Sequence, residues 1–279
     1  MQRIHIVGCS PRSGTTLLAE MMLICFDIDV STRHEDRIHT WPHRRGKIFL
    51  TKKPRDILVA KSVLSVMRNL HIIYLVRDPR DIIVSRHGKE PDRYWSGLEY
   101  WQNYTPYGRE LRGHPRFVEI QYEDLVSRPD EVQQVIQTRI PFLEEKAKFS
   151  RYHELARPSD ESRKALKGVR PVSPSSIGRW RRHKPRVAGQ IQLNGSISAD
   201  LIAFGYEKDE MWEKELEGVE PDLRDSHLTG LLTEKSIRKY RRAEGFRAWV
   251  TWMGHHRIPL EILKRLKKIF WYVYTVVRR

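Results

Sequence analysis

Only two cysteines, Cys9 and Cys25, occur in the 279 residues, too few for a disulfide framework, and neither has the spacing of a metal-binding pair. A reduced compartment is the simpler expectation. Long apolar runs are missing as well. The longest, Ile269 to Val277, is nine residues, whereas a membrane-spanning helix needs about 20. The chain opens directly on a strand-like segment, which leads us to expect no leader or anchor helix ahead of it and a cytoplasmic location. Acidic residues are scarce, with 35 Asp and Glu against 51 Lys and Arg and a net charge of +16. What remains is a length suited to one large α/β domain with an appendage and a hydrophobic content of 39%, enough for a core. Composition does not select a chemistry.

Residues 4 to 16, Ile-His-Ile-Val-Gly-Cys-Ser-Pro-Arg-Ser-Gly-Thr-Thr, read as a short buried strand, a tight turn and the start of a helix. Such a turn leaves a sheet at its carboxyl edge, where backbone N–H groups and a helix N-terminus converge on a phosphate or sulfate. Arg12, Ser13, Thr15 and Thr16 add side-chain donors, and Gly14 permits the turn. The loop of nucleotide hydrolases, Gly, four residues, Gly-Lys-Ser/Thr, is absent. Five residues separate Gly8 from Gly14, Thr15 stands where the lysine belongs, and the cation Arg12 precedes the second glycine. ATP chemistry also needs a magnesium carboxylate near a strand end. The only obvious candidate, Asp78, lies between Arg77 and Arg80.

A second signal begins at His71. Ile72 to Val76 is a continuous apolar run, as expected of a strand covered on both faces, and it delivers Arg77 at its carboxyl end. Pro79 suits the first turn of a helix, and Ser85 follows Arg77 by eight residues. The chain thus offers two phosphate-sized sites on one sheet edge. Between them, Ile48 to Leu50 reads as another strand, leading into Thr51-Lys52-Lys53-Pro54.

These pieces together resemble the sulfotransferases that use 3′-phosphoadenosine 5′-phosphosulfate (PAPS). Pro11-Arg12-Ser13-Gly14-Thr15-Thr16 resembles their 5′-phosphosulfate loop, and Arg77 with Ser85 resembles their 3′-phosphate site. Tyr122-Glu123-Asp124-Leu125 followed by Pro129 is similar to a later segment of the family. Gly178-Arg179-Trp180-Arg181 resembles the cofactor-closing loop of the bacterial and Golgi-type branches, and Phe204-Gly205-Tyr206 resembles the end of the domain. The likeness runs from about residue 3 to 208 in the family's order. It implies a three-layer α/β/α fold with a central, mostly parallel sheet, of the P-loop-NTPase-like sulfotransferase type. It also implies PAPS as donor, a hydroxyl acceptor such as a carbohydrate, lipid or other small molecule, and no required metal. A soluble bacterial-type enzyme fits better than the membrane-anchored Golgi enzymes.

The resemblance extends to roles. Lys52 falls where related Lys-x-Pro segments face the sulfuryl group, with Lys53 as the alternative if the register slips by one. Glu35, in Thr32-Arg33-His34-Glu35-Asp36-Arg37, falls where these branches often place an acidic catalytic residue; His34, Asp36 and His39 compete for that role as base. Arg12 joins Lys52 in neutralising the transferring group. Cofactor contacts are expected from Arg12, Ser13, Gly14, Thr15, Thr16, Arg77, Ser85, Tyr122 and Arg179. The cytosolic Arg-Lys-Gly closing motif is missing, with Ser173-Pro174-Ser175 in its place, so either Arg170, Arg179 or Arg182 replaces the lost cations or the serines suffice. An alternative reading of Arg77 pairs it with Asp81.

Beyond these motifs the organisation is coarser. Tyr94, Trp95, Tyr100, Trp101 and Tyr104 have helix-like spacing and read as core packing ahead of an acceptor pocket. Arg157 to Ser176 reads as a mobile active-site loop. We divide the chain into a sulfotransferase domain (1–208), an acidic or irregular segment (209–234) and a basic helical tail (235–279). The tail carries 13 basic and 2 acidic residues, hence +11 of the net charge. From Pro259, Leu260, Ile262, Leu263, Leu266, Ile269, Phe270, Val273 and Val277 follow helical spacing opposite Lys264, Arg265, Lys267 and Lys268. That pattern suggests peripheral contact with an anionic membrane, and no nucleic-acid partner is expected. The rival functions are a P-loop-like nucleotide kinase or NTPase and a basic polyanion-binding protein. Strand order is not set by these patterns.

Overall fold

A computed structural model describes the chain except for residues 33, 43, 87–89, 91, 167, 256–261, 263, 270 and 272–279. Its sheet has five strands: β1 (Gln2–Gly8), β2 (Val30–Ser31), β3 (Ile48–Lys52), β4 (Leu70–Val76) and β5 (Phe117–Gln121). All pairings are parallel, in the order β2-β3-β1-β4-β5. The expected strand at Ile48 therefore runs two residues further, to Lys52. The two-residue β2 at the sheet edge, too short for a periodic signal, is an addition to the sequence reading.

The sheet is buried on both faces, as continuous apolar strands require. Side chains alternate along each strand. Ile4 and Ile6 of β1 and Ile73 and Leu75 of β4 enter one apolar cluster with helix α1 (Thr15–Cys25). Ile72, Tyr74 and Val76 enter the opposite cluster. On that second face lies α2 (Ala60–Val66), preceded by a 3-10 turn over Pro54–Val59. After β4 come α3 (Pro79–Ile83), started by Pro79 at its first turn, and α4 (Leu98–Arg109), which brings Tyr100, Trp101 and Tyr104 into the same cluster. Those three members of the aromatic stripe are core packing, whereas Tyr94 and Trp95 precede the helix, and half-buried Trp95 lies under the Arg12 guanidinium at 5.9 Å. The first face is completed by α5 (Tyr122–Ser127) and α6 (Pro129–Arg139), which contribute Leu125, Val132 and Ile136. The fold is the three-layer α/β/α arrangement with a parallel sheet that the sequence implied.

Short helices α7 (Tyr152–Leu155) and α8 (Asp160–Leu166) follow. The stretch read as a loop from Arg157 to Ser176 thus holds a helix. Ser159 starts it, its hydroxyl accepting from the Ser162 N–H (3.2 Å). A third apolar cluster joins Ile83, Val84 and Leu98 to Trp180 and to α9 (Lys184–Asn194) and α10 (Ser198–Ala203).

Last comes α11 (Glu234–His255). Its Ile237, Glu244, Ala248 and Met253 recur at helical spacing and are buried, the face it packs on α2 and the turn before it. Two polar anchors tie it down. The Tyr240 hydroxyl donates to Asp56, and His39 pairs with Glu244 (2.8 Å). Further along, Ile262 and Lys264 to Ile269 are helical, whereas Pro259, Leu260, Leu263, Phe270, Val273 and Val277 of the proposed amphipathic stripe lie outside the described residues. Among the described residues no helix is long and apolar enough to cross a membrane.

Candidate anion and transfer site

Parallel strands put all five carboxyl ends on one edge, and each end supplies a residue of interest. β1 runs into the Gly8–Gly14 loop, β3 ends on Lys52, β4 delivers Arg77, β5 delivers Tyr122, and Glu35 follows β2 by four residues. The helix after β1 and that after β4 pack on opposite faces. Between two such strands, at their carboxyl ends, an open α/β sheet leaves a crevice for ligands.

The loop is built to keep side chains out of its own concavity. Arg12 has φ 71°, a left-handed conformation that among the described residues no other non-glycine adopts, at a cost of roughly 1–2 kcal/mol. Its carbonyl accepts from Arg77 Nη1 (3.0 Å). Gly14, φ 100°, precedes α1, and no side chain caps that helix. Its first N–H groups therefore point into the loop without side-chain partners. A Cβ on Gly14 would stand 2.5 Å from the Tyr122 ring, and one on Gly8 would collide with Ser13 Oγ. The Ser10 and Ser13 hydroxyls and Arg77 Nε are buried without hydrogen-bond partners. Buried donors left unpaired around a cradle are the arrangement that a phosphate or sulfate satisfies.

Charge favours the same ligand. Among the described residues neither Arg12 nor Arg77 has a carboxylate within ion-pair distance. Burial and the neighbouring Arg77 lower the pKa of the Arg12 guanidinium. The Arg77 guanidinium lies over the Tyr122 ring at 4.2 Å and reaches the Ser176 carbonyl (3.5 Å), while the Tyr122 hydroxyl shares a hydrogen bond with Ser176 Oγ (2.9 Å). The alternative partner of Arg77 is occupied elsewhere. Asp81 accepts from the Gly178 N–H (2.7 Å) and the Trp180 N–H (2.9 Å). It thereby fastens the turn expected to close over a nucleotide onto α3. Only the fold reveals these partners of Asp81, which lie 97 and 99 residues further along the chain.

Ser85, just past α3, donates to the Asp81 carbonyl (3.3 Å). Arg179 is exposed beyond the αL residue Gly178. Asp78, the magnesium candidate, is committed to structure. It caps α3 through the Arg80 N–H and receives the Arg80 guanidinium on both oxygens. Arg80 in turn lies between Trp180 and Trp212 and pairs with Glu207. Among the described residues no group of three or more His, Cys, Asp or Glu is arranged to hold a metal. Both cysteines are buried thiols. Burial pushes Cys25 up to about 12 and Cys9 higher still, so both are inert.

On the β3 side, Lys52 Nζ donates to Glu35 Oε1 (3.3 Å). The lysine side chain is 6% exposed and that of Glu35 40%. Burial lowers the Lys52 pKa, and Glu35 counteracts it. Of the rival bases, Asp36 accepts from the Arg37 N–H and the Thr40 hydroxyl and His39 is bound to Glu244, whereas His34 is exposed and, among the described residues, only its carbonyl is bonded, by the Thr32 hydroxyl. Lys53, the alternative to Lys52, faces Tyr240 at 5.8 Å. Half-buried Glu123 lies within the Tyr122-Glu123-Asp124-Leu125 segment that the sequence singles out, yet nothing there gives it a role. It accepts from the Asp78 N–H (3.0 Å) and the Tyr206 hydroxyl (3.2 Å), and burial raises its pKa to about 7.

Residues 27–140 match the model described as the sulfotransferase family. The match spans Glu35, Lys52, Arg77, Ser85 and Tyr122, and the Gly8–Gly14 loop and Arg179 lie outside it. No curated protein matches the chain. Among solved structures it is similar to the sulfotransferase domain of the Synechococcus PCC 7002 olefin synthase, at 14% identity and TM-score 0.42 over 64% of this chain and 87% of that one. It is also similar to the sulfotransferase domain from the curacin biosynthetic pathway, at 15% and 0.43 over 65% and 91%. A third likeness is retinol dehydratase in complex with androsterone and the inactive cofactor PAP, at 12% and 0.30 over 89% and 81%.

Proposed function

Taking residues 27–140 as a sulfotransferase-family segment, we propose that the chain transfers a sulfuryl group from PAPS to a hydroxyl acceptor. The observation that carries this reading is the cradle between β1 and β4, with its unpaired serine hydroxyls, uncapped helix start and two arginines that lack carboxylate partners among the described residues. Ser13, Gly14, Thr15, Thr16 and Arg12 would hold the 5′-phosphosulfate, and Arg77 and Ser85 the 3′-phosphate. Tyr122 and Arg179 would border the nucleotide. Bound PAPS supplies an activated sulfuryl group whose leaving group is a phosphate.

The chain's residues would do the rest. The Glu35 carboxylate takes the proton from the acceptor hydroxyl as its oxygen bonds to sulfur and the sulfur–oxygen bond to phosphate breaks. A positioned base of this kind contributes roughly 10²- to 10⁴-fold. The Lys52 ammonium and Arg12 offset the charge on the transferring group and on the departing phosphate, in a site where fixed cations act at low dielectric. The contact between Lys52 and Glu35 holds both groups at the β3 end before an acceptor arrives.

Labelled sulfate supplied as PAPS, offered with a panel of sugars, phenols and lipids, tests the proposal directly. Transfer is expected, and Glu35→Gln should lower kcat by 10²-fold or more while binding the desulfated product PAP as the wild type does. Nucleotide hydrolysis that needs magnesium, or polyanion binding without donor selectivity, would instead support the kinase-like or the polyanion-binding alternative. Peripheral contact of the basic tail with anionic membrane belongs to the same proposal and is argued at the scale of the whole molecule below.

A further inference from the structure

Every residue of the turn after Glu35 is held. Asp36 donates its N–H to the Lys52 carbonyl (3.0 Å), and its carboxylate accepts from the Arg37 N–H (2.8 Å) and the Thr40 hydroxyl. The Thr40 N–H donates to the Arg37 carbonyl (2.9 Å), which closes residues 36–40 into one hydrogen-bonded unit. From β1, Arg3 donates to the carbonyls of Ile38 (3.1 Å) and Thr40 (2.6 Å). The remaining anchors come from α11. The Ile38 N–H reaches one oxygen of Asp56 (2.6 Å), whose other oxygen accepts from the Tyr240 hydroxyl. His39 Nε2 donates to Glu244 (2.8 Å), and the same carboxylate lies 3.7 Å from Arg37 Nε. Glu244 is one of two acidic residues from 235 onward, yet its side chain is only 3% exposed. A buried carboxylate is costly unless paired. An apolar residue there, like Ile237 and Ala248 on the same buried face, would pack α11 without that cost; a carboxylate instead fixes the orientation of the groups it bonds.

We propose that α11 is part of the transfer site, with Glu244 and Tyr240 as positioning residues for the base Glu35. The Glu35 side chain is exposed and its hydrogen bond from Lys52 is long, at 3.3 Å, so its place depends on the backbone that carries it. That backbone leads directly into the 36–40 unit. Without Glu244, buried His39 is left with a ring N–H that has lost its acceptor, a cost that turns the ring toward water and draws the unit with it. A displacement of about 1 Å at a reacting group costs up to about 10²-fold in rate. The hydrogen bonds and ion pairs of Glu244 and Tyr240 go to His39, Arg37, Arg247 and Asp56, none of them in the donor cradle, so donor binding is left intact. The inference rests on the sulfotransferase reading, since it makes Glu35 the base.

A mutant cycle on the full-length chain separates positioning from general stability. With labelled PAPS and the acceptor that the panel of sugars, phenols and lipids yields, Glu244→Ala should lower kcat roughly 10- to 100-fold and leave PAP affinity unchanged. Glu244→Gln keeps an acceptor oxygen for His39 and should recover most of the rate. In a Glu35→Gln background, Glu244→Ala should cost nothing further, because the group it positions is gone. Tyr240→Phe keeps the ring and removes only the donor to Asp56; it should repeat the pattern, and it serves if Glu244→Ala does not fold. Hydrogen exchange without donor or acceptor gives an independent readout: either variant should speed the Asp36 and Ile38 amides and leave residues 8–16 as in the wild type. Equal loss of rate in both Glu35 backgrounds, wild-type kcat in the variants, a matching fall in PAP affinity, or unchanged exchange over 36–40 would overturn the proposal. If the wild type transfers to no member of the panel while the exchange pattern holds, the sulfotransferase reading fails and the hold of α11 on residues 36–40 stands.

Discussion

At the residue scale, Arg77 has the most specific assignment. It touches the Arg12 carbonyl, the Ser176 carbonyl and the Tyr122 face, with no described carboxylate in ion-pair range. A hydrogen bond from arginine to an anion is worth roughly 1.5–3 kcal/mol. Arg77→Ala should therefore weaken PAP binding about ten- to a hundredfold by calorimetry; unchanged affinity would remove Arg77 from the 3′-phosphate site. Glu123 gives a pH signature. Burial raises its carboxyl to about 7 from the usual 4.5, so the folded chain keeps a proton there that the unfolded chain releases. That contribution to stability is complete below pH 4.5 and is lost as the pH rises to 7. Glu123→Gln stays neutral, so its melting temperature should gain on the wild type between pH 4.5 and 7 and hold the gain above. A constant difference across that window would show that Glu123 titrates normally. Arg77 was legible because an apolar run ends on it. Glu123 and Asp81 were not, because their partners Tyr206, Gly178 and Trp180 are remote in sequence.

Elements explain why the loop tolerates so little change. The strand, turn and helix from β1 to α1 follow from an apolar run, two glycines and a hydroxyl-rich helix start. The Tyr122 ring against Gly14 does not, since it comes from the end of β5. Gly14→Ala meets both a left-handed φ and that ring. A loss of about 1–2 kcal/mol from the backbone alone is expected, visible as a lowered melting temperature, together with weaker PAP binding as the loop N–H groups shift. Wild-type PAP affinity in that variant would show that the loop does not hold the donor. The segment from Arg157 to Ser176 shows the limit of reading composition. Serine, proline and charge suggest a loop, yet the same Ser159 that suggests it also starts α8.

Over the whole molecule, charge separates from catalysis. The tail from 235 holds +11 of a net +16. Its described helical part leaves Ile262, Ile269 and Trp271 at 47, 59 and 67% exposure beside Lys264, Arg265, Lys267 and Lys268. Apolar groups and cations on one exposed helix favour an anionic bilayer surface. The full-length chain should therefore co-sediment with phosphatidylserine vesicles at about 10 mM ionic strength and release them near 1 M, where the Debye length falls to about 3 Å; vesicles ignored at low salt would end the membrane proposal. The sequence alone determined what depends on local order: the buried strands that begin the chain, start at Ile48 and run into Val76, where the anion loop turns, and that Arg12, Lys52 and Arg77 stand at or just past strand ends. Runs of side chains and turn chemistry are properties of neighbours in the chain. Tertiary structure decided the order β2-β3-β1-β4-β5, the approach of Glu35 to Lys52, the closure of Tyr122 and Ser176 on Arg77, and the clamp of α11 on His39 through Glu244, a pair 205 residues apart. Those contacts join distant segments whose meeting depends on how the sheet twists and its helices pack, and no short window of sequence encodes that.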